Sequence, residues 1–199
     1  MSKDSKRQEI LKAAMELFAE KGFRGTTTRD LAARAGVNEA IIFRYFINKT
    51  GLYRAILEEK VQAGRAEHYK EVEQQARSSD TRTFLEFVGN KFFERHEQDS
   101  TFMRLLLFSA LERHELAEMF LASMGLRDPM AAYMERQMNE GALRRVDPYL
   151  ASRAFFGMFA SHIQIQEIFG ESRKREFDRT EVVKTFVSIF LDGMKPAAD

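Results

Sequence analysis

The chain has 199 residues, enough for one or two domains, and its 44% apolar content belongs to a globular rather than a disordered protein. It has no Cys, which excludes a disulfide scaffold, a thiolate metal site and a cysteine nucleophile together. The net charge of +1 conceals an asymmetry: residues 1–54 carry 11 Lys/Arg against 6 Asp/Glu, and the remainder carries 20 against 24, so nucleic-acid contact is expected at one end only.

Nearly every segment reads at helical period. Ile10, Leu11, Ala14, Leu17 and Phe18 form the apolar stripe of a first helix, which Gly22 is expected to stop. Thr27-Thr28-Arg29-Asp30 reads as a capping box opening a short second helix, with Leu31 and Ala32 facing inward. Gly36 ends it, and a third short helix is expected over 39–45. A long fourth helix is expected from Asn48 towards Ala76, apolar at first (Leu52, Ile56, Leu57, Val61) and polar afterwards.

Ser78-Ser79-Asp80 caps a Phe-rich helix, and Asp99-Ser100 caps the next. The segment Glu115 to Glu140 is expected to be helical with a break near Gly125 to Pro129, because proline disfavours helix at the residue before it. Asp147-Pro148 is a strong helix start, with a cap followed by Pro at the first helical position. That helix should run to about Phe169, and a last one should cover Thr180 to Leu191. The expected fold class is all-α, with about nine helices and no sheet: an N-terminal helix-turn-helix domain over residues 1–50 and a helical domain over 51–199. The densest apolar stretch, Phe102 to Leu111, is interrupted by Arg104 and too short to span a bilayer, and the polar N-terminus has no signal-peptide core, so a soluble, cytoplasmic protein without membrane contact is expected.

The informative stretch is Thr26 to Lys49. Two short helices flank Ala35-Gly36-Val37-Asn38. Ala32 permits close helix approach, Val37 plugs the junction, and Ile42 should face inward beside Leu31. This spacing fits a tri-helical DNA-binding unit whose second short helix enters the major groove, and it also fits an ordinary helical hairpin. The string Arg7, Ile10, Ala13-Ala14, Leu17-Phe18, Gly22-Phe23, Thr26-Thr27, Leu31-Ala32, Ala35-Gly36-Val37, Ile42-Phe43, Tyr45-Phe46, Lys49 and Leu52 resembles the N-terminal domain of the TetR/AcrR family. The resemblance covers about a quarter of the chain. It implies a homodimeric regulator of transcription that binds a palindromic double-stranded DNA operator, most commonly as a repressor.

Roles follow residue by residue. Thr27, Thr28 and Arg29 open the second helix, where free N–H groups favour a phosphate; simple capping is the alternative, and Thr27 is expected to do both. Asn38, Glu39, Ala40, Phe43, Arg44 and Tyr45 cover the start and outer face of the recognition helix. Family members commonly carry Tyr at the position of Phe43, which has no hydroxyl and is left to pack on sugar or a thymine methyl. Arg44 is the best candidate for a guanine contact, with a phosphate-contacting or solvent-facing arginine as the alternative. Lys49 matches the family's phosphate-contacting lysine. Glu39 repels phosphates and tolerates only a base-edge donor such as cytosine N4.

In the C-terminal domain the resemblance implies an effector pocket and a dimer interface from the last two long helices. Ala151, Ala154, Gly157 and Ser161 form a small-residue seam suited to close helix approach, and Val183, Phe186, Val187 and Phe190 spread apolar surface over more than one face of the last helix. Burial within the same subunit is the alternative. Phe84, Phe87, Met103, Phe108, Phe120, Tyr133, Met134, Phe155, Phe159 and His162 are candidates for an apolar pocket or for plain core, with Arg104 and Gln137 placed to orient a polar group. The expected effector is a small hydrophobic or amphipathic molecule; a constitutive DNA-binding protein without effector is the alternative. No catalytic residue, cofactor or metal centre is expected, since His114-Glu115 lacks the second His of a zinc-protease motif and no phosphate loop or nucleophile elbow occurs.

Overall fold

The structure is a computed structural model that describes residues 3–62, 65–96, 100–115, 117–119, 129–170 and 175–196. Among the described residues there are ten α-helices and no strand. In chain order they are α1 (Lys3–Gly25), α2 (Thr28–Arg34), α3 (Glu39–Tyr45), α4 (Lys49–Gln62), α5 (Arg65–Ser78), α6 (Thr81–His96), α7 (Thr101–Leu111), α8 (Pro129–Asn139), α9 (Pro148–Ile163) and α10 (Arg179–Gly193). A π-helical turn, Gln164–Ile168, extends α9. No helix among the described residues is long and apolar enough to cross a membrane.

Local chemistry sets the boundaries. Gly22 sits inside α1 at φ 72°, ψ 174°, a break rather than an end. The α2 C-terminus is a Schellman motif: Gly36 adopts φ 63°, its N–H donates to Ala33 O, and Val37 N–H donates to Ala32 O. Asp147 caps α9 by accepting from Leu150 N, with Pro148 following. Asp80 caps α6 through Thr83, and Asp178 caps α10 through Glu181 N. The helix expected from Asn48 to Ala76 corresponds to α4 and α5, and residues 63–64 between them lie outside the described residues. The helix expected to reach Phe169 keeps α geometry only to Ile163. The expected cap at Asp99 and the break between Gly125 and Asp128 lie outside the described residues.

The chain forms two compact units. The first joins residues 1–65 with 101–123; the second joins 66–100 with 124–199. Packing therefore divides the chain differently from the expected boundary after residue 50, because α4 and α7 share a core with α1, α2 and α3. Phe18, Leu31, Ile42, Leu52, Tyr53 and Leu105 are essentially inaccessible within it. Tyr53 Oη donates to Leu105 O at 3.1 Å, fastening α4 to α7. In the second unit Phe84, Leu85, Phe93, Met134, Phe155, Phe159 and Val187 are among the deepest residues, on α6, α8, α9 and α10.

Candidate nucleic-acid interface

The front of the first unit is built by two capped seven-residue helices. Thr27 Oγ1 accepts from Asp30 N at 3.1 Å, and the Asp30 carboxylate accepts in return from Thr27 N at 3.1 Å and from its hydroxyl at 2.9 Å. These bonds hold the Asp30 carboxyl below the usual carboxylate range. Asn38 Oδ1 accepts from Ile41 N at 2.9 Å and so starts α3. Behind them Thr26 is buried, donating to Gly22 O at 2.7 Å. Arg34 reaches Glu16 and Glu20 on α1 and sets α2 against it.

The helix α3 is sharply two-faced. Ile42 is fully buried, whereas Asn38, Glu39, Ala40, Phe43 and Arg44 are exposed and Tyr45 is half-buried. Phe43 is 44% exposed, a large apolar ring facing outward with no hydroxyl to solvate it. Arg44 lies 5.7 Å from the Tyr45 ring centroid. Neither Arg29 nor Arg44 pairs with a carboxylate among the described residues, so both cations face outward available to an anion or a base. Just beyond α3, Ile47 is 90% exposed. Sequence reasoning misses Ile47; its signal is an apolar residue in a polar connection between buried Phe46 and the Asn48 cap of α4.

Two expected contacts have intramolecular partners. The Thr28 hydroxyl donates to Glu39 Oε2 at 2.6 Å, so it presents only lone pairs outward and no proton to a phosphate. Lys49 Nζ donates to Phe23 O at 2.7 Å and Thr26 O at 2.8 Å, and lies 4.1 Å from the Phe23 ring centroid. Partial burial lowers its pKa, against the pull of Glu112. Lys49 thus satisfies carbonyls at the end of α1, the work of a C-terminal cap. Lys49→Ala is expected to lower stability by about 1.5–3 kcal/mol, the scale of hydrogen bonds to a charged group. A thermal melt checks this, and the salt dependence of DNA binding separates the roles, since a lost phosphate contact would reduce the slope by about 1.

The candidate effector-pocket residues are divided between the two units. Met103, Arg104 and Phe108 lie on α7 in the first unit, where Phe108 packs near Gly22 of α1, and Arg104 is exposed and acts electrostatically on Glu20. Phe84, Phe87, Tyr133, Met134, Gln137, Phe155, Phe159 and His162 belong to the second unit. There Phe84 meets Tyr133 at 4.1 Å between centroids, Phe155 meets Phe159 at 5.1 Å, and His162 contacts Phe93 and Phe186 at 5.8 and 5.7 Å. The spacing is that of packed aromatic core. Phe87 is half-buried, with Lys91 Nζ 5.7 Å from its ring. Gln137 is satisfied by Thr81 at 2.7 Å and Glu140 at 2.8 Å. Phe120 lies outside the described residues. Two surface depressions of this unit, one lined by Lys70 to Ser78 and one of about 780 Å³ lined by Met138, Leu143, Arg144, Arg145 and Lys195, involve none of these residues.

The small-residue seam of α9 splits by burial. Ala151 faces inward, while Ala154, Gly157 and Ser161 are exposed in one stripe with Leu150, which is 63% exposed. On α10, Val183, Val187 and Phe190 are buried inside their own unit, and Phe186 meets Phe159 edge-on at 5.4 Å. The first three have core roles here, because a side chain buried in its own subunit has no surface left for another, whereas Phe186 is half-buried. The outward apolar residue of α10 is Ile189.

A capped three-helix unit with an exposed front to its third helix is a helix-turn-helix, the architecture that places a recognition helix in the major groove. Residues 10–56 match the model of bacterial regulatory proteins of the tetR family, and residues 83–193 match that of the AefR-like transcriptional repressor C-terminal domain. The second match covers more than half of the chain, and the chain belongs to the TetR family of transcriptional regulators. Among curated relatives, the uncharacterized HTH-type transcriptional regulator YvkB of Bacillus subtilis is 54% identical over 50 residues, 25% of this chain and 26% of that protein's length. The chain thus matches about a quarter of that relative. FadR from Bacillus subtilis, solved with stearoyl-CoA, superposes with a TM-score of 0.69 at 20% identity, covering 94% of this chain and 98% of that one. AibR, solved with isovaleryl coenzyme A and operator DNA, gives 0.70 at 17% identity, covering 92% and 97%. At these identities the structural likeness establishes the fold alone.

Proposed function

We propose that the protein is a homodimeric repressor that reads an inverted-repeat operator through α3. The observation that carries this is the exposed front of α3, with Phe43, Arg44 and Ile47 outward and the outward-facing Arg29 beside them, on a helix whose back is fully buried. Arg29 meets phosphate and Arg44 a guanine edge, while Phe43 and Ile47 pack on sugar and thymine methyl groups. Thr28 and Glu39 together present only acceptors, which disfavours phosphate and suits the amino group of cytosine. Tyr45, Ala40 and Asn38 line the approach, and Asn38 keeps its amide donor outward while its carbonyl caps the helix.

The dimer contact is assigned to the exposed stripe Leu150, Ala154, Gly157 and Ser161, continued past the π turn by Phe169, which is 81% exposed, and by Ile189 of α10. A Cβ added at Gly157 meets nothing within 4 Å inside its own chain. Gly157→Leu should therefore leave the protomer folded and push the facing helices apart, with overpacking at a close contact costing about 1–3 kcal/mol per site. Light scattering should show monomer at concentrations where the parent is dimeric; an unchanged dimer would move the interface elsewhere.

The effector is assigned to the acyl-CoA class. Its support is the two structural neighbours solved with coenzyme A thioesters and an apolar interior of Phe and Met able to repack. Phe93, Phe155 and Phe186 pack around Phe159 at 5.5, 5.1 and 5.4 Å between centroids, so a ligand in this cluster requires those rings to move. That packing favours a second reading, a DNA-binding protein without effector. Titrating stearoyl-CoA into the protein bound to its operator separates the two. Release of DNA together with a raised melting temperature supports the first, and no change in either supports the second.

A further inference from the structure

The break at Gly22 leaves backbone groups that α1 cannot satisfy. Past it, Phe23 N and Arg24 N both donate to the carboxylate of Glu112, at 3.0 and 3.2 Å. Glu112 stands just beyond α7, and its own carbonyl accepts from the Arg24 guanidinium at 3.5 Å. The chain is turned to make this contact. Arg113 adopts φ 51°, unusual for a residue with a side chain, and Arg113 N and His114 N close a Schellman motif on Ala110 O and Ser109 O. The same turn sets His114 against Phe23, 4.2 Å between ring centroids. Lys49 also holds Phe23 O and Thr26 O. Residues 22–26, which lead directly into the cap of α2, are thus held by both a carboxylate from the end of α7 and an ammonium from the start of α4.

Gly22 is shaped for this arrangement. A Cβ there would lie 2.4 Å from Glu112 Oε1, and its φ lies in the left-handed region. Meanwhile α7 falls within the stretch matched by the C-terminal repressor domain, residues 83–193, yet packs in the DNA-reading unit.

We propose that Glu112 is a positioning residue for DNA binding: from the end of α7 it acts as a helix cap for the segment after Gly22, and so fixes where α2 and α3 stand on α1. This role rests on operator binding through α3. The bonds are charge-assisted and made to two successive amides, so removing the carboxylate frees the segment without emptying the core. Specific binding needs both α3 helices of a dimer placed at one separation, whereas non-specific binding tolerates a range of placements.

The test measures Glu112→Ala and Glu112→Gln by anisotropy on a selected operator, on the same operator with one base pair added or removed between half-sites, and on unrelated DNA. Hydrogen exchange follows the amides of Phe23 and Arg24. Glu112→Ala should lose about tenfold in operator affinity, within the usual range of coupled equilibria, with unrelated DNA bound as before. Its preference among the three spacings should flatten, and exchange at the two amides should quicken. Glu112→Gln, which keeps an acceptor without the charge, should fall between. A wild-type protein that selects no inverted repeat overturns the regulator reading and this proposal with it. Variants that bind all three spacings as the wild type does, or that lose operator and unrelated DNA equally, overturn this proposal alone.

Discussion

Phe159→Ala should destabilise the second unit by about 3–5 kcal/mol. Phe159 is fully buried on α9 and is ringed by Phe93, Phe155 and Phe186 at 5.5, 5.1 and 5.4 Å. It is held from α6 as well: a Cβ at Gly89 would stand 2.8 Å from Phe159 Cζ, so the ring occupies the space that the missing side chain leaves. The neighbours are fixed on three helices and collapse poorly into the void, which places the cost at the upper part of the range for large-to-small changes. Denaturant unfolding checks this through the midpoint. A midpoint within error of the parent would mean that the aromatic cluster is loose, and a loose cluster would favour ready effector entry.

Gly22→Ala should be the most damaging small change in the first unit. At φ 72°, ψ 174° the backbone is in a region that is essentially glycine-only and costs an alanine about 1–3 kcal/mol, and displacing Glu112 from the two amides removes a cap worth typically about 1 kcal/mol. The total of about 2–4 kcal/mol should appear as a lower melting temperature, accompanied by weaker operator binding. Gly36→Ala is the control. Gly36 has a similar φ of 63°, but a Cβ there meets nothing within 4 Å, so only the backbone cost applies. Equal losses for the two variants would show that the Glu112 contact contributes little.

What is legible in the sequence is local. The capping pair Thr27 and Asp30, the Asn38 cap, the Gly36 turn and the inward Ile42 depend on residues within a helical turn or so of each other, and their chemistry permits few alternatives. What is not legible depends on distant partners. The apolar stripe of α7 announces a buried face but not which unit buries it, so sequence alone groups Phe108 and Arg104 with residues of the other unit. Lys49 reads as a phosphate contact because nothing local shows that Phe23 O and Thr26 O lie within its reach. Nothing local in the sequence singles out Glu112, and its role becomes visible only once Gly22 has opened α1. On α9 and α10, small and apolar residues at helical spacing show amphipathicity but not which of two apolar faces meets the same chain, and the π turn after Ile163 shifts the later residues around the axis.

Reading of a specific operator by α3 is tested most directly by selecting genomic DNA fragments with the wild-type protein and with Arg44→Ala, at one stated salt concentration. The wild type should enrich an inverted repeat with half-sites about one helical turn, roughly 34 Å, apart or somewhat more. Arg44→Ala should relax the preference at one base pair in each half-site, at a cost of about 1–3 kcal/mol on the parent sequence. Enrichment of no inverted repeat by the wild type, or an unchanged base preference in Arg44→Ala, would contradict a base-reading role for α3.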